Sequence, residues 1–201
     1  MGVQFQYNKT SLQSLEKNLK MRVRALPTIK NKESALRMEV KRAKDDIKRL
    51  EDEVEQRIAA YDKMLALWGE FDTSLLKVDD VKMSIKKIAG VRIPILEEVV
   101  YTTKPFSLFN SPNWYADGLT QLKELAQVGI EREFSAQKLH LLEYARKKTT
   151  QKVNLFEKVQ IPGYEDAIRM IKRFMEDEEN LSKSSQKIVK SRQLQMKEAE
   201  L

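Results

Sequence analysis

A long apolar stripe with helical spacing, between residues 36 and 68, constrains the fold of this chain more than any other feature. Apolar side chains recur there every three or four residues for more than four heptads. They are Leu36, Val40, Ala43, Ile47, Leu50, Val54, Ile58, Tyr61, Leu65 and Trp68. Charged residues of both signs fill the positions between them, so opposite charges meet at i,i+3 and i,i+4 spacing. The stripe predicts a long amphipathic helix that packs against a second helix, with Trp68 in the core.

The stripe continues toward the amino terminus and sets the expected limits of the first helix. Its upstream positions are Leu12, Leu15, Leu19, Val23 and Leu26. We expect a helix from about Lys9 to Phe71, capped at its start by Asn8 or Thr10. Pro27 has no amide hydrogen to donate to the carbonyl of Val23, so we expect a kink at this point.

The helical spacing fades between Asp72 and Pro112. Residues 81–85 and 91–95 alternate in polarity around Ala89-Gly90, which predicts two short strands joined as a β-hairpin. Pro94 favours an edge position, because a proline cannot donate a hydrogen bond to a neighbouring strand. An isolated two-stranded hairpin is only marginally stable, so we expect it to be supported by the helices or by a partner.

The last helical segment begins near Trp114 or Asp117 and carries a strict heptad register toward its end. The register positions are Ala167, Ile171, Phe174, Glu178, Leu181, Ser185, Ile188, Arg192 and Gln195. Pro162-Gly163 predicts an interruption and a bend in this segment. Trp114 and Tyr115, after the loop, either pack inside the protein or lie at an interface.

These segments divide the chain into an N-terminal long helix at 1–71, a middle insertion at 72–113 and a C-terminal long helix at 114–201. Two long amphipathic helices around a compact insertion fold most simply as an antiparallel pair. The predicted fold class is therefore mainly all-α. A long antiparallel two-helix coiled coil forms from the terminal helices, and the insertion contains the short β-hairpin. The 33% of charged residues, with only 6 glycines and 5 prolines, agrees with long helices.

Residue types that carry catalysis or bind metals are scarce. The chain has no cysteine, which excludes disulfides and thiolate metal sites. Its glycines form no phosphate-binding loop, and His140, the single histidine, is expected in a surface or packing role. We therefore expect no catalytic residue, no metal and no cofactor. No run of about 20 apolar residues predicts a membrane span, so a soluble, cytoplasmic protein is expected.

Both ends of the chain are basic. Residues 1–30 carry six basic side chains against one acidic, and residues 181–201 carry five against two. An antiparallel pair that places both ends together would form a basic tip, which serves either solubility or contact with an acidic or polar sleeve. The candidate residues of this tip are Lys9, Lys17, Lys20, Arg22, Arg24, Lys183, Lys187, Lys190 and Arg192. The acidic run Asp177-Glu178-Glu179 is either a solvated helix face or a contact for a basic surface.

Two segments carry a family resemblance. Lys148-Thr149 followed by Lys152-Val-Asn-Leu-Phe-Glu-Lys-Val-Gln-Ile-Pro162 resembles the K-T, R-V-N-A-L-E-x-V-x-I-P signature of the D-subunit family of V-type ATPases. The matching signature and bend residues are Val153, Asn154, Glu157, Ile161 and Pro162. Ala89 to Pro94 is similar to the family's M-G-V-x-V-P segment, and it matches at Gly90, Val91 and Pro94. Weaker matches near both ends follow in the family's order, whereas Pro27, Phe156 and Gly163 depart from its pattern.

The resemblance implies a non-catalytic rotor shaft that transmits torque in a V-type ATPase or ATP synthase. Both terminal helices would enter the bore of a hexamer of nucleotide-binding A and B subunits. The middle would meet the small F subunit of the central stalk and a membrane-side socket protein above the rotor ring. The protein would be cytoplasmic and peripheral to the membrane, with no insertion into the bilayer and no bound nucleic acid.

Two other functions stay open from the residues alone. A basic helical hairpin is compatible with nucleic-acid binding, although no base-reading module is present. A coiled-coil scaffold or chaperone is the second alternative.

The polar seam positions and the shared positive charge predict that residues 5–25 and 180–197 are the least stable part of the isolated chain. We also expect residues 79–101 to form a hairpin that contacts another protein of the stalk. Deleting residues 81–95 should then weaken partner binding or coupling and leave the helix content nearly unchanged.

Overall fold

The structure, a computed structural model, describes residues 3–61, 69–107 and 111–199. The elements are α1 (Lys9–Tyr61), a 3-10 turn (Thr73–Leu75), β1 (Leu76–Ile88), β2 (Val91–Thr103), α2 (Tyr115–Asn154), a π-helical turn (Leu155–Gln160) and α3 (Ile161–Ala199). The predicted class, mainly helical with a two-stranded hairpin between the long helices, is confirmed. Leu65 and Trp68, the last positions of the apolar stripe, lie outside the described residues.

The start of α1 confirms the predicted cap. The Asn8 side-chain carbonyl accepts a hydrogen bond from the Ser11 amide at 2.7 Å, which satisfies an amide that has no partner within the helix. Pro27 lies inside α1, and the chain is helical on both sides of it. The missing hydrogen bond to Val23 therefore does not end the helix.

Pro162 does not interrupt the last segment as expected. The chain remains helical from Tyr115 to Ala199, but it widens to π geometry over Leu155–Gln160 just before the proline. The Ile161 amide donates to the carbonyl of Phe156, five residues back. A widened turn gives the proline ring more room at the preceding carbonyls, so the chain absorbs Pro162 without leaving helical geometry.

The described contacts divide the chain into two compact units: Met1–Asn31 with Thr149–Leu201, and Lys32–Lys148. In each unit a piece of α1 runs antiparallel to a later helix. In the Lys32–Lys148 unit, ion pairs connect Lys44 to Glu143 at 2.8 Å and Arg57 to Glu124 at 2.8 Å, so residue numbers rise along one helix as they fall along the other. Solvent screens such exposed pairs and they stabilise the fold little, so the apolar core carries most of the stability.

The core of the Lys32–Lys148 unit joins both helices to the hairpin. Its buried members are Leu36, Val40, Ala43, Ile93 and Leu142. Ile93 of β2 is only 1% exposed, and Ile88 and Val91 pack against the same cluster. The inner face of the hairpin is therefore part of the core, and the helices supply the support that a two-stranded sheet needs.

The hairpin turns at Ala89-Gly90, as predicted. Both residues have positive φ, 47° and 79°, which is the geometry of a two-residue type I′ turn and suits glycine. Each strand has 13 residues, so the hairpin is longer than the alternation indicates. Pro94 pairs with Ile85 in a sheet whose two strands are both edges.

Aromatic side chains form a cluster where α2 begins. Phe71 packs against Trp114 and Tyr115 with ring centroids 5.8 Å and 5.2 Å away, and the Tyr115 hydroxyl donates to the carbonyl of Glu70 at 2.7 Å. Trp114 and Tyr115 are both partly buried. Of their two open roles, packing within the protein is the one that the structure shows.

In the other unit, the start of α1 packs against the first half of α3. Leu15 is buried with Ala167, Ile168 and Ile171. The chain before α1 turns back along α3. Val3 and Phe5 pack against this cluster, and the Tyr7 ring lies 4.9 Å from that of Phe174.

Candidate interaction surfaces

The π-helical turn contains the signature residue Glu157, is flanked by four others, and is held by one arginine from α1. Arg22 donates to the Gln160 side-chain oxygen at 2.7 Å and to the Asn18 carbonyl at 3.2 Å. Its guanidinium carbon lies 4.6 Å from the ring centroid of Tyr164 and 5.9 Å from that of Phe156. Arg22 therefore contacts this turn from both ends, by a hydrogen bond and by cation–π interactions.

A second contact binds the same turn to α1. Glu157 accepts a hydrogen bond from Lys30 at 2.7 Å, in an ion pair that is open to solvent on both sides. Of the other signature residues, Val153 and Ile161 are partly buried, whereas Asn154 and Pro162 are exposed. These positions lie within or directly beside the turn where the chain changes helical pitch.

Gly163 departs from the family pattern, and the structure gives a reason. A Cβ atom at this position would lie 3.3 Å from the Cγ2 atom of Val3. Glycine therefore allows the segment before α1 to pack closely on the start of α3. This contact is not predictable from the sequence, because the five residues from Val3 to Tyr7 show no periodicity of their own.

We predict that Arg22→Ala lowers the stability of the unit that contains it by about 1–3 kcal/mol, because the change removes charged hydrogen bonds and cation–π contacts. Arg24→Ala on the same helix is the matched control, since Arg24 is exposed, and we expect an effect within about 0.5 kcal/mol. Urea unfolding, with amide exchange at residues 156–164 as the local probe, measures both changes in stability. Arg22→Lys should restore little, because an ammonium group lacks the planar surface that stacks on a ring. Equal losses for Arg22→Ala and Arg24→Ala would contradict this role for Arg22.

The nine predicted basic-tip residues do not form one cluster. The ion pair between Glu16 and Lys172, at 3.0 Å, places these two residues at the same level. The first helix begins at Lys9, so it extends only seven residues, or roughly 10 Å, beyond Glu16. Lys183 and Arg192 follow Lys172 by 11 and 20 residues, or roughly 16 and 30 Å. The expectation that an antiparallel pair places both basic ends together is therefore wrong in register.

The basic residues consequently have different surroundings. Lys9, Lys17, Lys20 and Arg24 are exposed on α1, and Arg22 is engaged by the π-helical turn. Lys183, Lys187, Lys190 and Arg192 lie on α3 beyond the start of α1. We call this last part of α3, residues 176–199, the overhang.

The overhang exposes a row of large apolar side chains. Every residue from 176 to 196 is exposed, and Leu181 and Met196 are 70% and 69% exposed. Four exposed apolar residues, Leu181, Ile188, Val189 and Met196, form this row, and a fifth, Leu194, lies on another side of the helix. Isolated apolar residues are common on surfaces, but a row along one helix marks a surface that another molecule covers.

Charge along the overhang changes sign from start to end. The acidic run Glu176–Glu179 comes first, and the basic residues from Lys183 to Arg192 follow. Lys183 donates a hydrogen bond to Glu179 at 2.7 Å, which lowers the pKa of that carboxyl below its ordinary value. The acidic run is solvent-exposed within the described chain.

The other matching residues lie in the hairpin. Gly90 forms its turn, Val91 packs against the core and Pro94 lies in β2. Among the residues that the structure describes, no group of three or more His, Asp or Glu side chains is arranged to hold a metal ion. His140 is exposed on α2. None of the described helices combines the length and apolar character that crossing a bilayer requires.

The hairpin is fixed to paired helices, and the end of α3 carries an uncovered apolar row. These features are typical of a helical protein that assembles with other proteins. The profile of the ATP synthase D-subunit family matches residues 11–191. The chain is a member of this family, and it assembles with other subunits of such a complex.

Named relatives agree over nearly the whole length. The V-type ATP synthase D subunit of Chlamydia trachomatis serovar L2 is 30% identical over 206 positions, which cover 98% of this chain and 100% of the relative. The V-type ATP synthase D subunit of Borreliella burgdorferi is 31% identical over 186 positions, which cover 91% and 92%. The family that the signature segments indicate is therefore confirmed.

Proposed function

We propose that this chain is the central-stalk rotor shaft of a V-type ATPase or ATP synthase. It transmits torque between the nucleotide-binding hexamer and the membrane ion-translocating ring, and it is not itself catalytic. The observation that carries this proposal is the overhang, a free helix end with an uncovered apolar row and charges of both signs. A surrounding sleeve of subunits would cover all faces of such a helix at once.

The partners follow from this placement. The nucleotide-binding A and B subunits surround the overhang, where Lys183, Lys187, Lys190 and Arg192 meet the walls of the bore. The small F subunit and the socket protein above the rotor ring bind elsewhere on the chain. The protein works at the cytoplasmic face, peripheral to the membrane.

The nucleic-acid alternative has less support. Binding a phosphate backbone favours clustered cations, whereas the nine basic candidates are spread along two helices and one of them holds the π-helical turn.

The test is assembly of the full chain with the A and B subunits. We expect Leu181→Gln, Ile188→Gln and Met196→Gln combined to weaken assembly by about tenfold or more, because the apolar row loses its contacts. Ser182→Gln, Ser184→Gln and Ser191→Gln on the same exposed helix form the matched control and should assemble normally. ATP-driven rotation of the assembled complex is the second readout. Unchanged assembly and rotation in the apolar variant would refute the placement of the overhang, and specific RNA or DNA binding by the free chain would favour the alternative.

A further inference from the structure

We propose that the outward face of the β-hairpin is a docking surface for a partner protein that presents apolar side chains bordered by carboxylates. The inference rests on the proposed function in one respect, since the partner is taken to be another member of the same complex. We call this surface the outer hairpin face and define it by the cross-strand pairs Met83–Leu96, Ile85–Pro94 and Lys87–Arg92.

The register separates the two faces of the hairpin. Successive side chains on a strand point to opposite faces, so residues 83, 85 and 87 share one face and residues 84, 86 and 88 share the other. Ile88 and Val91 form a pair whose side chains pack against the core, and Ile93, opposite Lys86, is buried there. The outer hairpin face is therefore the side turned away from the helical core.

The middle of this face is apolar and open. Ile85 is 71% exposed and Met83 is 62% exposed, while their cross-strand neighbours Pro94 and Leu96 are partly buried. Directly opposed residues lie about 5 Å apart, so the four side chains form one continuous patch. Contiguous apolar residues on a polar chain indicate a surface that is covered in use.

The turn end of the face is cationic. Lys87 and Arg92 lie directly opposite each other, an arrangement that costs stability because their like charges repel. The Nζ atom of Lys32 is 3.2 Å from the place that a Cβ would occupy at Gly90, so a third cation lies beside the turn. None of the ion pairs among the described residues includes these three side chains.

The next cross-strand pair beyond Met83–Leu96 is Lys82–Glu98, whose two charges already neutralise each other. Lys82 donates to Glu98 at 2.7 Å, and this contact raises the pKa of the Lys82 ammonium group. The partner's carboxylates therefore belong opposite the turn, where Arg92 can bind one in a two-pronged geometry. This asymmetry gives the docked partner a direction along the hairpin.

An anionic lipid surface would also attract apolar and basic groups, but the hairpin as a whole does not suit one. Asp79, Asp80, Glu97 and Glu98 are carried on the same two strands and are exposed. An anionic bilayer repels these carboxylates, whereas a shaped protein surface can avoid them. The charge pattern therefore favours a protein.

The test uses the full chain and the purified subunits of its native complex, one at a time. The apolar variant is Met83→Gln with Ile85→Thr, and the charge variant is Lys87→Glu with Arg92→Glu. Their matched controls are Met38→Gln, and Lys41→Glu with Lys48→Glu, which are exposed positions of α1 in the same unit. Thermal unfolding confirms that every variant folds.

We expect one of these subunits to bind each hairpin variant about tenfold or more weakly, and to bind both controls within about twofold of the unchanged chain. Added salt should weaken binding of the unchanged chain more than binding of the charge variant. Unchanged affinity for every subunit would overturn the inference. If the hairpin variants bind every subunit normally but lose binding to vesicles of phosphatidylcholine and phosphatidylserine, the inference is overturned in favour of a membrane surface.

Failure of the proposed function has a different pattern. If the overhang variant assembles normally while the hairpin variants lose a partner, the shaft placement fails and the docking face stands. If the overhang variant loses assembly while the hairpin variants bind every subunit normally, the docking face fails alone. A chain that binds none of the subunits refutes both.

Discussion

Replacing Ile93 with alanine is expected to lower the free energy of unfolding of the Lys32–Lys148 unit by about 2–5 kcal/mol. The Ile93 side chain is 1% exposed and packs with Leu36, Val40 and Leu142, so its loss leaves a cavity between the hairpin and both helices. The free-energy costs of the lost packing and of the cavity add, because the surrounding helices cannot fully collapse into the space. Urea unfolding with amide exchange at residues 36–43 as the local probe measures the effect.

Ile85→Ala is the control for this prediction. Ile85 is the same residue type on the same hairpin, but it is 71% exposed on the opposite face. We expect a change within about 0.5 kcal/mol, since little apolar area leaves water there on folding. If the two variants lose equal stability, the hairpin is not fixed to the core by its inner face. The burial of Ile93 also changes the expected effect of deleting residues 81–95. The deletion removes a core residue as well as a contact surface, so it is expected to lower the stability of the helices too.

Amide hydrogens of residues 180–196 are expected to exchange nearly as fast as those of an unfolded chain when the protein is alone. All these residues are exposed, and most of the stability of a helix in a protein comes from tertiary packing, which this segment lacks within the described chain. On assembly with the A and B subunits, their exchange should slow by several orders of magnitude, because a covered helix opens only with the complex. Hydrogen exchange followed by mass spectrometry compares the two states.

Residues 12–19 serve as the internal reference for this measurement. The polar seam predicts that residues 5–25 exchange as fast as the overhang, but the structure pairs this segment with residues 160–172 around a buried Leu15. Slow exchange at 12–19 together with fast exchange at 180–196 in the free chain is therefore expected. Slow exchange at both would contradict the free overhang, and an overhang that gains no protection on assembly would contradict its place in the bore.

The hairpin shows how far local patterning extends. Ala89-Gly90 between alternating residues is enough to predict the turn, because few residue pairs tolerate two successive positive φ angles. The strands nevertheless reach Leu76 and Thr103. The register shifts between Val78 and Asp80, and between Lys82 and Met83. Each shift displaces the alternation of side chains by one position, so the alternating pattern cannot be followed to the ends of the strands.

Local spacing along the chain is sufficient to specify the helices, the Asn8 cap, the hairpin turn and most of the buried face of α1. Of the stripe positions, Leu15, Leu36, Val40, Ala43 and Leu50 are buried, whereas Val23 and Ile58 are 49% and 50% exposed. These features depend on interactions between residues a few positions apart, which spacing records directly.

The register between the helices, by contrast, depends on contacts between distant parts of the chain. A heptad repeat is satisfied equally well when a partner helix slides by seven residues, so Leu181 and Ile188 look like core positions in the sequence. What fixes the register lies outside the repeat. The first helix starts at its Asn8 cap, and the chain before it folds back onto Gly163, so no segment of the described chain remains to cover the overhang. The surface proposed to enter the hexamer exists because of that difference in length.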